Sequence, residues 1–92
     1  MINEVLISKD AIKDINKIPK HILKVLKLWI FEINTFGWDD VKKDIAWKNE
    51  AFKGTRFGQR SIRLNKSYRA IYKVSKKKIE FVLIEEVNKH DY

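Results

Sequence analysis

The sequence predicts an α+β fold, with helices on one face of a mostly antiparallel sheet. An apolar, β-branched segment comes first, two segments with helical periodicity follow, and three segments with strand alternation come last. The 92 residues include only three Gly and one Pro, a composition typical of globular domains and not of linkers. We therefore expect one domain over residues 1–92, with element order β-α-α-β-β-β and a helical hairpin on one sheet face.

The first half of the chain is predicted to form a strand and the helical hairpin. The apolar residues 2–7 indicate a strand, and Ser8 is a suitable N-cap for a helix over 9–17. Pro19 fits the first turn of a second helix, which Gly37 ends. An apolar stripe at helical spacing runs along the second helix and comprises Ile22, Leu23, Leu26, Trp29, Ile30 and Ile33. Such a stripe predicts packing against a core.

The second half is predicted to be three strands after an irregular segment. Residues 38–50 are polar with scattered Trp and allow a short helix from Asp39 to Ile45, and the two glycines of 52–58 indicate a loop. Strands are expected at 59–64, 67–74 and 78–87, joined by tight turns at Asn65-Lys66 and Ser75-Lys76-Lys77. The last strand contains the run FVLI without a polar break, which predicts a strand buried on both faces and central in the sheet.

Strand alternation predicts which side chains share the sheet face away from the helices. Tyr72 is expected to point to the core and Arg69 away from it, and Ile62 to point inward and Arg63 outward. Arg63 and Arg69 should therefore reach the same face from adjacent strands. The polar tail 88–92 follows the last strand and could fold across that surface.

The formal charge of +8 is concentrated in one stretch of the chain. Residues 53–78 hold ten Lys or Arg and no acidic residue, while the rest holds ten basic and twelve acidic residues, so the net charge is the sum of +10 and −2. All four Arg fall within 56–69, although the chain has sixteen Lys. Because a guanidinium binds two phosphate oxygens at once, this pattern favours a phosphate-rich partner over the alternative of a solvated basic surface.

Several classes of function are excluded by what the sequence lacks. Without Cys there is no disulfide framework, thiol nucleophile or Cys-ligated zinc site, which fits a reducing cytoplasm. Two His and no Gly-rich nucleotide motif give no basis for a metal or other cofactor, and none is expected. No apolar run approaches the roughly 20 residues of a bilayer span. Glu4 interrupts the first apolar stretch, so we expect neither a signal peptide nor a membrane partner.

The residue types near the basic stretch suit metal-free cleavage of a phosphodiester. This chemistry needs a general base, a general acid and fixed positive charge on the transition state, and in RNA the 2′-hydroxyl supplies the nucleophile. Arg63 and Arg69 are candidates for neutralising the transition-state oxygens, and His90 is a candidate acid or base. Asp91 is a candidate for orienting His90, and Tyr92 for stacking on a base.

Each of these assignments has a structural alternative. His90 can be an exposed residue near the end of the sequence, and Tyr92 can serve only to anchor that end through its ring. Arg69 can form a structural ion pair with Glu85 or Glu86. These alternatives stay open on the sequence alone.

The sequence resembles the RelE/ParE toxin superfamily along essentially its whole length. The resemblance is carried by the element order and by FKGTRFGQRSIRL at 52–64, SYRAIY at 67–72 and EEVNKHDY at 85–92. The specific parts are the YR-x-x-Y strand and the KHDY tail, and the similarity is greatest to RelE- and HigB-like ribonucleases. The resemblance implies a RelE-like fold and a cytoplasmic toxin of a type II toxin–antitoxin pair. It implies an endoribonuclease that cleaves mRNA in the ribosomal A site by metal-independent 2′-hydroxyl attack. The implied partners are the ribosome, mRNA and an antitoxin, expected to be a helix-turn-helix protein.

The resemblance also assigns roles to individual positions. Arg69 matches the strand arginine that stabilises the transition state, Arg63 matches a basic position on the neighbouring strand, and Lys53 matches the lysine of the preceding loop. His90 and Tyr92 match tail positions that supply acid/base and stacking groups. Further RNA contacts are expected at Arg56, Arg60, Lys66, Lys73 and Asp91.

One departure from the family pattern leaves the function open between alternatives. HigB-like members often carry a His where this sequence has Glu50, which can be a second acid/base group or a solvated loop carboxylate. A ParE-like toxin that inhibits DNA gyrase without nuclease activity is one alternative. A basic nucleic-acid-binding module without activity is another. The occurrence of His90 together with Arg63 and Arg69 favours the nuclease.

Overall fold

The computed structural model describes residues 1–86, which fold into a sheet with helices on one face. The elements in chain order are β1 (Glu4–Ile7), α1 (Lys9–Ile15), α2 (Lys20–Phe36), α3 (Trp38–Val41), β2 (Glu50–Ala51), β3 (Gln59–Arg63), β4 (Tyr68–Ser75) and β5 (Lys78–Glu86). The predicted α+β class is confirmed, with β2 and α3 as additions to the predicted order.

The ends of the two long helices follow from local side-chain and backbone chemistry. The Ser8 hydroxyl accepts a hydrogen bond from the Ala11 amide at 3.1 Å, which caps α1 as predicted. Pro19 directly precedes α2, where its missing N–H is not needed. Gly37 ends α2 with φ +86, in the region that favours glycine, while its amide donates to the Ile33 carbonyl at 3.0 Å.

The segment after α2 differs from the single helix predicted over 39–45. The helix α3 stops at Val41, and a separate 3-10 turn covers Ile45–Trp47. The Asp44 carboxylate accepts a hydrogen bond from the Ala46 amide at 3.0 Å, so this side chain starts a new turn instead of continuing the old one. Lys48 then ends the turn in the left-handed conformation. The prediction of one continuous helix was wrong for this reason.

The five strands form one sheet in the order β1-β5-β4-β3-β2. Only the β1–β5 pair is parallel, so the sheet is mostly antiparallel as predicted. The strand at the centre is β4, and β5 lies one place to its side. The prediction that the last strand lies inside the sheet is confirmed, because β5 is paired with β1 on one edge and with β4 on the other.

A β-bulge explains why the last strand carries an unbroken apolar run. Ile71 pairs with Leu83 but Tyr72 pairs with Phe81, which leaves Val82 as an extra residue in β5. Phe81 and Ile84 both reach the core although they are three positions apart, while Val82 and Leu83 are only half-buried. The run therefore reflects a bulge and not burial on both faces.

The core lies between the helices and the sheet. Its centre is a group of three rings, since Trp29 stands 5.2 Å from Tyr72 and 5.4 Å from Phe81 between ring centroids. All three side chains are fully buried, and burial of each contributes about 1.5–3 kcal/mol or more to folding. Both α1 and α2 supply buried residues to this core, so the helices share one face of the sheet. Within residues 1–86, no helix has the length and apolar character needed to cross a membrane.

The other sheet face is covered in part by the loop over 52–58. The Phe52 ring centroid lies 5.1 Å from the Arg69 guanidinium, and Arg56 reaches across to Glu85. Ile71 is fully buried on this face, apart from the core on the helix side. We call this the open face, because the helices within residues 1–86 supply their buried residues to the core on the other face.

Candidate functional site

Two arginines stand side by side on the open face. Arg63 of β3 and Arg69 of β4 are directly paired across the antiparallel ladder, so their side chains leave the sheet on the same side. The turn that joins the strands is fixed by the Asn65 side chain, which accepts hydrogen bonds from the amides of Ser67 at 2.7 Å and Tyr68 at 2.9 Å. The hairpin therefore holds two like charges together, which an anion between them would stabilise.

These arginines open onto a polar cleft of about 390 Å³. The cleft is lined by Lys48, Glu50, Ser61, Arg63, Asn65, Tyr68 and Arg69. It combines three cations with one carboxylate and several neutral hydrogen-bonding groups. Such a set can bind a phosphate group and exchange a proton beside it.

The short strand β2 brings the carboxylate into the cleft. Glu50 pairs with Ser61 of β3, so both side chains lie on the open face together with Arg63. Lys48 precedes β2 and enters the cleft from its left-handed turn. The sequence left the role of Glu50 open and did not indicate Lys48, because a two-residue strand is too short to show alternation.

Arg69 is not free, since it forms an ion pair with Glu85 on the neighbouring strand. Its Nε donates to Glu85 Oε2 at 2.8 Å, and its Nη2 contacts the same oxygen. Arg56 of the loop reaches the other oxygen of this carboxylate at 3.3 Å. The structural ion pair considered as an alternative for Arg69 is therefore present. Arg69 lines the cleft even though it forms this ion pair.

An aromatic ring joins the two arginines that share Glu85. The Phe52 centroid lies 5.1 Å from the guanidinium carbon of Arg69 and 5.3 Å from that of Arg56. Phe52, Arg56, Glu85 and Arg69 thus form one connected group, which we call the Glu85 cluster. It anchors the loop over 52–58 to the open face next to the cleft.

Arg63 differs from Arg69 in having no ion pair within residues 1–86. Its side chain is exposed, whereas that of Arg69 is one-third exposed and held by Glu85. One arginine of the pair is therefore available to an incoming anion, and the other is already oriented.

The remaining basic residues predicted to contact RNA do not line the cleft. Lys53 is exposed in the loop and Lys66 is exposed at the tip of the β3–β4 hairpin. Lys73 lies on the open face further along β4, where it pairs with Glu80 at 3.3 Å. None of these three residues belongs to the lining of the cleft.

Arg60 lies on the opposite face of the sheet from Arg63. It pairs with Tyr72, a core residue, so strand alternation directs it toward the helices. Its Nε donates to Asn49 Oδ1 at 2.8 Å, and its guanidinium lies 5.5 Å from the Trp38 ring centroid. Arg60 was grouped with the other arginines because it is close to them in sequence. The structure places it on the opposite face of the sheet from Arg63 and Arg69.

The tail residues His90, Asp91 and Tyr92 lie outside the described residues, so their predicted roles stay predictions. The described part of β5 ends at Glu86, which pairs with Tyr68. Since Tyr68 lines the cleft, the last described residue of β5 lies next to it.

Comparison with solved structures shows the same fold in bacterial toxins. A chain of the E. coli DinJ-YafQ toxin–antitoxin complex superposes with a TM-score of 0.75 at 16% identity, covering 100% of both chains. The YoeB/ParE toxin from Agrobacterium tumefaciens gives 0.72 at 16% identity, covering 90% of this chain and 96% of that one. A chain of the RelBE2 toxin–antitoxin complex from Mycobacterium tuberculosis gives 0.69 at 17% identity, covering 94% and 99%.

The sequence itself matches no family model and no curated protein. At these low identities, the structural likeness establishes the fold alone. The chain therefore has the fold of the RelE/ParE toxins, as its sequence motifs indicated.

Proposed function

We propose that this protein is the toxin of a type II toxin–antitoxin pair and an endoribonuclease that cleaves mRNA in the ribosomal A site. The observation that carries the proposal is the cleft in which Arg63 and Arg69 stand beside Glu50. The shared fold with toxin chains supports it, because the whole described architecture is common to them.

In the proposed reaction the RNA supplies its own nucleophile. The 2′-oxygen attacks the adjacent phosphorus, the bond to the 5′-oxygen breaks, and the products are a 2′,3′-cyclic phosphate and a 5′-hydroxyl. Negative charge builds up on the equatorial oxygens of the phosphorus, where Arg63 and Arg69 can donate hydrogen bonds. Arg63 suits this role because it has no ion pair within the described residues.

Two protons must move in this reaction, one from the 2′-hydroxyl and one to the leaving oxygen. Glu50 is the only carboxylate that lines the cleft among residues 1–86, which supports it as the proton acceptor. His90 is the proposed donor to the 5′-oxygen, with Asp91 to orient it and Tyr92 to stack on a base. His90 follows Glu86 by four residues, and four extended residues span at most about 14 Å.

The proposed partners are the translating ribosome and a cognate antitoxin. Exposed cations outside the cleft, Lys53 and Lys66 among them, supply charge for contacts with RNA phosphates. An antitoxin is proposed because solved chains of the same fold come from the complexes named DinJ-YafQ and RelBE2.

A translation extract tests the proposal directly. We expect the purified protein to cut a translated mRNA and to leave the same mRNA intact when ribosomes are absent. Arg69→Ala should lower the cleavage rate at least about 100-fold, as expected for loss of a transition-state donor. Lys77→Ala is the matched control, because Lys77 is an exposed cation in the turn at the far end of the β4–β5 hairpin.

The same experiment separates the alternatives. Intact translated mRNA would overturn the nuclease proposal. If the protein then inhibited supercoiling by DNA gyrase, it would be a ParE-like toxin. If it inhibited neither process but still bound RNA, it would be a binding module.

A further inference from the structure

Glu85 is the one carboxylate within residues 1–86 that forms ion pairs with two arginines. Its Oε2 accepts from Arg69 and its Oε1 from Arg56, and its side chain is only 23% exposed. The carboxylate stands beside the cleft but does not line it. A negative charge at this position repels a phosphate, so its presence next to a phosphate-binding cleft calls for a physical reason.

The contacts of Glu85 leave one side of the Arg69 guanidinium available. Glu85 takes the edge formed by Nε and Nη2, and the Phe52 ring packs against the guanidinium at 5.1 Å. Nη1 has no hydrogen bond within the described residues, and Arg69 lines the cleft. Glu85 and Phe52 therefore restrain the planar guanidinium of Arg69, while the N–H groups of its Nη1 remain for a ligand.

We propose that Glu85 is a positioning residue, which orients Arg69 for phosphate cleavage and weakens RNA binding by its charge. The inference rests on the proposed function, because it assigns Arg69 to the transition state. A long arginine side chain without Glu85 would sample several rotamers. Orientation of the reacting groups governs the rate, since a misplacement of about 1 Å can slow a reaction 100-fold.

This role predicts opposite changes in binding and in rate. Removal of the Glu85 charge frees two arginines to bind phosphate, so RNA should bind more tightly. The same change releases Arg69 from its fixed orientation, so cleavage should slow. A residue that only stabilised the fold would weaken both properties or neither, and a residue that only tuned the charge would not slow cleavage at saturation.

The chain contains a matched control on the same two strands. Glu80 of β5 pairs with Lys73 of β4 at 3.3 Å, just as Glu85 pairs with Arg69 across the same ladder. Glu80 is 34% exposed at its side chain, and neither partner lines the cleft. Glu80→Gln therefore raises the net charge of the protein by the same amount without touching the Glu85 cluster.

The experiment compares Glu85→Gln with Glu80→Gln in two measurements. The first is the cleavage rate of translated mRNA at saturating protein, and the second is the Kd for a short single-stranded RNA whose 2′-hydroxyls are methylated. Glu85→Gln should cut about 10- to 100-fold more slowly while binding the RNA several-fold more tightly. Glu80→Gln should bind somewhat more tightly and cut within about twofold of the wild-type rate.

A double-mutant cycle identifies the residue through which Glu85 acts. In an Arg69→Ala background, Glu85→Gln should slow cleavage no further, because the oriented group is already gone. In an Arg56→Ala background, Glu85→Gln should keep its full effect. Loss of the effect in the Arg56→Ala background alone would mean that Glu85 acts by holding the loop, and would overturn the inference.

The failure of this inference and the failure of the proposed function give different results. An active wild type with an equally active Glu85→Gln variant, folded by its thermal unfolding midpoint, would overturn the inference alone. Weaker RNA binding by Glu85→Gln would also overturn it. A wild type that leaves translated mRNA intact would overturn the proposed function and this inference with it.

Discussion

Arg63 and Arg69 are equivalent by position in the ladder but not by environment. They are direct cross-strand partners, yet only Arg69 has a carboxylate to neutralise it within residues 1–86. Like charges placed opposite each other in a sheet are destabilising. The pair therefore lowers the stability of the hairpin, a cost that the proposed binding of an anion between the two arginines would explain.

The repulsion between Arg63 and Arg69 predicts that a variant without the Arg63 charge is more stable and less active. Arg63→Gln should raise the free energy of unfolding by a few tenths of a kcal/mol, up to about 1 kcal/mol, because it removes the repulsion with Arg69. It should also slow mRNA cleavage at least about 100-fold. Urea denaturation and the translation extract give the two values, with Lys66→Gln at the hairpin tip as the control for stability. A destabilised Arg63→Gln would contradict the prediction.

The carboxylate of Glu50 can be tested separately from the arginines. Glu50→Gln keeps the size of the side chain but cannot accept the 2′-hydroxyl proton, so the cleavage rate should fall about 100-fold or more. Binding of the methylated RNA should persist, because Arg63 and Arg69 are unchanged. Single-turnover rates and RNA titrations distinguish the two effects. A Glu50→Gln variant with the wild-type rate would remove Glu50 from the mechanism.

Residue placement could be predicted wherever the strand alternation was long enough to read. The period of two correctly placed Arg63 and Arg69 on one face. The same period puts Arg60 on the other face, where it bonds to Asn49, but its membership in the arginine-rich stretch suggested RNA contact instead. Alternation is the more reliable guide, because charge clustering in sequence does not specify direction.

The elements that the sequence did not predict are short, and their position depends on tertiary contacts. β2 has two residues, and its pairing with β3 cannot be inferred from a local pattern. The bulge at Val82 is likewise invisible in an unbroken apolar run. Long elements such as α2 carried enough repeats of their pattern to be predicted closely, although Ser8 and Gly37 were needed to fix where the helices begin and end.

A hydrogen-bond network links the irregular segment after α3 to the core of β4. The Tyr72 hydroxyl accepts from Trp38 Nε1 at 2.9 Å and from the Asn49 side-chain amide. Asn49 in turn accepts from Arg60 at 2.8 Å. The segment that leads into Glu50 is therefore attached to the central strand.

Removal of one hydroxyl should loosen this attachment. Tyr72→Phe leaves the donors of Trp38 and Asn49 without their acceptor, so the free energy of unfolding should fall by about 1–3 kcal/mol. Tyr68→Phe is the control, because the Tyr68 hydroxyl forms no hydrogen bond within residues 1–86. Chemical denaturation measures both. Equal stability of the two variants would show that the network does not hold the segment.

For the molecule as a whole, the fold changes the meaning of the basic stretch. Residues 53–78 contain no acid, yet three of their cations on the open face pair with two carboxylates of β5, since Arg56 and Arg69 share Glu85 and Lys73 pairs with Glu80. The cations of the stretch that have no ion pair within residues 1–86 and are exposed are Lys53, Arg63, Lys66, Lys76 and Lys77. Sequence composition overstates the available charge because the counter-charges lie elsewhere in the chain.

The salt dependence of RNA binding should reflect this smaller set of cations. Each phosphate neutralised on single-stranded RNA contributes about −0.7 to the slope of log K against log salt concentration, so contacts at Lys53, Arg63 and Lys66 give about −2. Lys76 and Lys77 are left out of this number because they lie in the turn at the far end of the β4–β5 hairpin. Ten contacts would give about −7. Titration of the methylated RNA at several salt concentrations measures the slope. A slope near zero would contradict electrostatic docking, and one near −7 would show that the ion pairs open on binding.

The parallel pairing of β1 with β5 has a consequence for how the protein is made. Glu4 stands opposite Lys78, so the first strand finds its only neighbour in the last strand of the described chain. A ribosome produces β1 before β5, and Arg69 meets Glu85 only after residues 78–86 have emerged. The nascent polypeptide therefore cannot hold Arg69 in its final arrangement until the strand that carries Glu85 is available. The order of translation therefore delays the arrangement of Arg69 that we propose to act on mRNA in the ribosome.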